Sequence, residues 1–235
     1  MSGATSLNLS GYTLGIFGAV PERRHWTEPA QDRAILEFVA LLSGLIFKYG
    51  GRVTHGAHPT FTPVILRQAE LHAAGAAGVV ICMSDLWAKN LPPHERARFA
   101  RGSEFVVVPS VGGTDVNDAA IRNASLTAMR HVLVDKMNVF VAIGGLKHVD
   151  TGLNPGVAEE ITLARSRGWP GFVVGGFGGE AARWVKEYDP ESLRNGLAPE
   201  LNQTLLGSDN VAACVSIIFD QLVQQRTKLL PPATA

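Results

Sequence analysis

Cysteine is scarce in this chain, and charge of one sign is missing. Cys82 and Cys214 are the only thiols among 235 residues, and they stand too far apart for a zinc or redox motif. They read as two buried thiols in a reducing compartment. Lysine and arginine together number 21, and so do aspartate and glutamate. No one-signed field is on offer to nucleic acid or an anionic membrane, so neither is expected as a partner. Long apolar runs are missing as well: "FVALLSGLIF" and "AAGAAGVVICM" are too short to span a bilayer. The N-terminus "MSGATSLNLSGYTLG" has no basic region followed by an apolar run, so no signal peptide is read there and a cytoplasmic protein is expected. Standard nucleotide fingerprints are also absent. "GAVPER" is neither GxGxxG nor a loop with Gly-Lys-Ser/Thr, which argues against a dehydrogenase and an NTPase.

What the chain does have is apolar residues, 46% of the total, in a regular order. Six short runs rich in Val and Ile read as strands buried on both faces: "TLGIFGA", "GRVTH", "GVVICM", "EFVVVP", "NVFVAIGG" and "GFVVGG". Helical spacing occupies 29–48, 63–75, 93–101, 115–136, 156–167, 178–187 and 209–225. Strand alternating with helix means parallel strands with right-handed crossovers. The expectation is a doubly wound, mostly parallel α/β sheet of about six strands, Rossmann-like, with helices on both faces. One domain over 13–226 is expected, with tails at 1–12 and 227–235.

In such sheets, ligands bind beyond the carboxyl ends of the strands. Glycine gathers there: "GAVPERRHW", "HGAHPTFTP", "PSVGGTDVND", "GGLKHVDTGLNPGVAEE" and "GGFGGEAARW" each follow a strand. Thr62-Pro63 and Asn154-Pro155 read as cap and first-turn pairs, and Thr114 or Asp115 as the cap of the helix after the fourth strand. Helix starts offer unpaired N–H groups and partial positive charge, which suits phosphate.

His55 and His58 lie three apart in the second loop, with no third ligand at metal spacing, so no metal is expected. Two readings stay open for them: an imidazole facing a ligand, or a loop histidine bonding backbone. Glu159 and Glu160 fall in a first helical turn, where the dipole alone favours acids, and where a carboxylate could also hold a ribose or act as a base. Arg130, late in its helix, reads as a surface residue.

In order along the chain, "GAVP", "YGGRVTHGAHPTFTPVI", "SLTAMR", "VFVAIGG" with "GVAEE", and "VGGFGGEAARW" resemble the SLOG superfamily of LOG- and Smf/DprA-like Rossmannoid proteins. The narrower likeness is to its prokaryotic branch related to the N-terminal region of TRPM channels. The resemblance implies a nucleotide-derived ligand such as ADP-ribose or a cyclic relative, and a role in signalling or phage defence. It implies homo-oligomers, sometimes with a separate TIR or Sir2 effector, and no cofactor. The implied ligand-binding residues begin with Gly18 and Ala19 after the first strand and His55, Gly56, His58 and Thr62 after the second. They continue with Gly144, Gly145 and Gly156 after the fifth and Gly176 and Gly179 after the sixth. Arg130 and Glu160 resemble the catalytic arginine and glutamate of LOG-type phosphoribohydrolases. The compact PGGxGTxxE of those enzymes is here opened by "LKHVDTGLNP", with Ile143 and Val157 in place of the proline and threonine, which weighs against that activity. Three functions follow: a nucleotide sensor, an N-glycosidic hydrolase, or a scaffold that self-associates through the apolar stripe of its last helix.

Overall fold

The computed structural model describes residues 7–21, 29–72, 74–146 and 153–229. Six strands form one sheet: β1 (Thr13–Ala19), β2 (Arg52–His55), β3 (Val79–Ser84), β4 (Glu104–Val108), β5 (Val139–Gly144) and β6 (Gly171–Val174). Their order is β4-β3-β2-β1-β5-β6, and every pairing is parallel. The helices are α1 (Pro29–Lys48), α2 (Thr62–Leu71), α3 (Asp85–Ala88), α4 (Pro93–Gly102), α5 (Ala119–Asp135), α6 (Gly156–Ser166), α7 (Gly179–Glu187), α8 (Pro199–Gly207) and α9 (Val211–Leu229).

Successive residues of each strand point to opposite faces and so feed two cores. Leu14, Ile16, Val141, Ile143 and Val174 pack with α1 and α9. Phe17, Cys82, Phe140, Ala142 and Val173 pack with α5, α6 and α7. Both cysteines are buried. The inner strands β3 and β5 are buried along their whole length, whereas the edge strand β4 is partly exposed.

The chain builds outward from β1 through β2 and β3 to β4, then returns to place β5 on the other side of β1. The order therefore reverses between β1 and β5, where a crevice opens at the carboxyl edge. Backbones meet closely there. At Gly18, φ is +138° and an added Cβ would lie 1.9 Å from the Ile143 carbonyl oxygen. Gly144 has φ +63°, and its Cβ would lie 2.5 Å from the Ala19 oxygen.

Several local expectations change. α3 is one turn long, too short to show periodicity, and α8 buries only Asn202 and Leu205. Neither stood out in the sequence. Asp118 caps α5, accepting from the N–H groups of Ala120 and Ile121, in place of Thr114 or Asp115. Thr62 is the first residue of α2 and donates its hydroxyl to the His58 carbonyl, while Pro155 precedes α6 without a side-chain cap. The apolar stripe of α9, with Val215, Ile218 and Leu222, is buried in the same chain's core against α1, so it offers no free face for self-association.

The β1–β5 contact makes Gly18→Ala costly. It should lower stability by at least about 2 kcal/mol, through both the close approach and the positive φ. Gly207→Ala, with nothing within 4 Å of the added Cβ, should leave stability unchanged or slightly raised. Urea unfolding of the two variants checks this, and equal midpoints would contradict it.

Candidate functional site

A cavity of about 530 Å³ opens at the carboxyl edge, beside the reversal of strand order. Gly18 and Ala19 at the end of β1 form part of it, as do His55, Gly56, His58 and Pro59 after β2. Met83 and Ser84 end β3 there, and Trp87, Leu91 and Phe99 follow from α3, α4 and the turn between them. Helix α5 contributes Arg122, Leu126, Met129 and Arg130. The start of α6 contributes Gly156, Val157 and Glu160.

The two histidines have different duties. His55 is 2% exposed. Its Nδ1 donates to the Ile16 carbonyl at 3.2 Å, and its Nε2 accepts from the His58 N–H at 3.0 Å. This pattern assigns a neutral ring that ties β2 to β1 and folds the loop back on itself. Both nitrogens are thereby occupied. Burial holds the His55 pKa at about 4. His58 is also pushed down to about 4 by burial. Its Nδ1 accepts from the Thr60 N–H at 3.3 Å and lies 2.8 Å from the Thr60 hydroxyl, which leaves the proton on Nε2. Ala57 between them has φ +48°, a left-handed value uncommon for a residue with a Cβ.

Arg130 departs most from the sequence reading. It is 6% exposed, not a surface residue. It sits on the buried face of α5 with Met129, Leu133 and Val134. Its Nη1 donates to Glu159 Oε2, and Thr127 donates to the other oxygen of that carboxylate. The Glu160 carboxylate is 4.0 Å from Arg130 Nε. That Nε has no hydrogen-bond partner among the described residues. Glu159, treated in the sequence as a first-turn acid, is thus the direct partner of Arg130. Burial pushes Glu160 up to about 7, partly offset by the positive charge of Arg130, while Glu159 nearby adds to the rise. α6 begins without a side-chain cap, so among the described residues no capping side chain pairs its first N–H groups at the cavity wall.

The expected residues fall into two groups. Gly18, Ala19, His55, Gly56, His58 and Thr62 line the cavity, and so do Arg130, Gly145, Gly156 and Glu160. Gly144, Gly176 and Gly179 do not. A Cβ on Gly176 would meet the Ser208 oxygen at 2.1 Å, and one on Gly179 would meet Gly144 at 2.6 Å. Both therefore serve close backbone packing. Gly145 does line the cavity, but its N–H already bonds the Ala19 oxygen at 2.8 Å. Residues 22–28 after β1, and 147–152 of the segment before α6, lie outside the described residues.

The sequence reading missed the apolar wall of Met83, Trp87, Leu91 and Phe99, and it missed Arg122. The third strand ends in "CMSDLW" with no glycine, so nothing marked that loop. The position of Arg122, four before Leu126, was the available signal for its face.

Comparison with known proteins bears on the same region. The family model described as SLOG cluster2 matches residues 111–206, which hold α5, β5, α6, β6 and α7. The crystal structure of TM1055, a structural-genomics target, is similar in fold with a TM-score of 0.52 at 17% identity. That alignment covers 89% of this chain and 99% of the other. No curated protein matches the chain.

The titrations set a pH test. Buried His55 and half-buried His58 refuse protons that the unfolded chain takes up below about pH 6.5, so their share of stability falls as pH drops towards 4. Glu160 has the opposite sign. Its folded pKa is raised from 4.5 to about 7, so its share is present below 4.5 and lost as pH rises through 7. Glu160→Gln, which resembles the protonated acid, should raise the melting temperature at about pH 8 and leave it nearly unchanged at about pH 4.5. Thermal melts at both values check this, and an equal effect at both would contradict it.

Proposed function

We propose, from the match of residues 111–206 to the SLOG cluster2 family model, that the cavity binds a nucleotide-derived small molecule such as ADP-ribose or a cyclic relative. The observation that carries this is the pairing of buried Arg130 with the uncapped start of α6. A Cβ on Gly156 would lie 2.8 Å from Arg130 Nη2, so the guanidinium and the first helical turn are in close contact. N–H groups at a helix start, beside a cation whose Nε has no hydrogen-bond partner among the described residues, suit a phosphoryl oxygen. The volume suits a small organic ligand. His58 Nε2–H is a further donor, and the apolar side chains of Trp87 and Leu91 can take the base. Signalling or phage defence, with a separate TIR or Sir2 effector reading the bound state, is the corresponding biological role.

A second reading has one observation in its favour. Glu160 titrates at about 7, where a carboxyl group can serve as acid or base near neutrality. As an N-glycosidic hydrolase, the protein would use Glu160 to activate water or steady an oxocarbenium-like ribosyl centre, with Arg130 fixing the 5′-phosphate.

Thermal shift and base release measured together on nucleoside monophosphates, NAD, ADP-ribose and cyclic ADP-ribose separate the readings. Stabilisation without turnover is the expected result. Base release that Glu160→Gln abolishes would establish the hydrolase in its place. Neither effect with any compound would leave nucleotide binding without support. His58→Ala should weaken binding about tenfold while barely moving the melting temperature of the free protein.

A further inference from the structure

Helix α5 shows one face to the cavity from Arg122 to Arg130. Arg122, Leu126, Met129 and Arg130 all line it. At 3.6 residues per turn, these four fall within an arc about 100° wide. Arg122 and Arg130 are separated along the helix axis by about 12 Å. Leu126 and Met129 occupy the interval, and Trp87, Leu91 and Phe99 add apolar surface to the same cavity.

The two guanidinium groups are alike in one respect. Each has a buried Nε with no hydrogen-bond partner among the described residues. Their company differs. Arg130 is held by Glu159, with Glu160 close by. Arg122 has no carboxylate partner among the described residues, and it stands near the start of α5, where the helix dipole disfavours a cation. A cation kept there, unpaired and lining a cavity, fits an anion from outside the chain. Arg98 lines the same cavity from α4. The charged groups at the cavity are thus Arg98, Arg122 and Arg130 against Glu95, Glu160 and the Glu159 that holds Arg130. Burial of Glu160 shifts that even balance to the positive side near neutrality.

We infer that Arg122 is a second anion-binding pole, and that the site takes a nucleotide with two separate phosphoryl groups. This rests on the nucleotide reading above. One phosphoryl group meets Arg130 and the start of α6. The apolar stretch takes the base. The second group meets Arg122.

The test uses the full chain and two ligand pairs. Adenosine 5′-monophosphate is compared with adenosine 3′,5′-bisphosphate, and ADP-ribose with ADP-ribose 2′-phosphate. In at least one pair the added phosphoryl group should tighten binding about ten- to hundredfold, as a charge-assisted hydrogen bond does. Arg122→Gln should abolish that gain, and Arg122→Lys should keep part of it. Measurable binding that is equal within both pairs, or a gain that survives in Arg122→Gln, overturns the inference and leaves nucleotide binding standing. Binding of none of the four overturns both.

Discussion

Arg130 and Glu159 join α5 to α6 where little water reaches either charge. Such a pair is a constraint more than a source of stability. Its attraction roughly offsets desolvation, but losing one partner strands the other at a cost of about 3–5 kcal/mol. The two helices are therefore fixed relative to each other at this point. Thr127 adds a second bond to Glu159 from α5. A Cβ at position 156 would push the Arg130 guanidinium off Glu159, which favours glycine at the start of α6. The start of that helix is thus held at the cavity by a pair that leaves the arginine Nε without a hydrogen bond among the described residues, with the Glu160 carboxylate 4.0 Å away.

The sheet supplies the other half of the site. Closure of β1 on β5 through Gly18 and Gly144 sets where the crevice lies. His55 then locks the end of β2 to β1 through Ile16 and turns the following loop across the opening. Its role is architectural, since both ring nitrogens bond backbone. His58, three residues on, keeps one nitrogen without a partner among the described residues. The pair that resembled a metal or catalytic motif thus divides into a residue that shapes the loop and one that can meet a ligand.

Much of the fold was legible because buried parallel strands leave a plain mark. β1 was read at its observed bounds, and the other five strands to within two residues at either end. The site was less legible, for a reason the glycines make clear. Gly18, Gly145 and Gly176 look alike in sequence, yet Gly176 packs on Ser208 and Gly145 has its N–H bonded to Ala19. A glycine marks close approach without saying what approaches. Arg130 was misplaced for a related reason. Charge suggested the surface, while its position in the stripe of Met129 and Leu133 placed it inside. Its compensating acid lies on another helix, and no local pattern reports that. The apolar wall from α3 and α4 left no trace because Trp87, Leu91 and Phe99 share no period.

Arg130 and the start of α6 are the centre of the account, and the fork of the guanidinium is what it depends on. Lysine keeps the charge and most of the length but replaces the rigid fork of spaced donors, which can pair Glu159 on one side and a phosphoryl oxygen on another, with a single point charge. Calorimetric titration of ADP-ribose into the parent protein and into Arg130→Lys, with both shown to be folded, tests this most directly. The account predicts binding by the parent protein and at least about a tenfold loss in the variant. Equal affinity in the two proteins would contradict it.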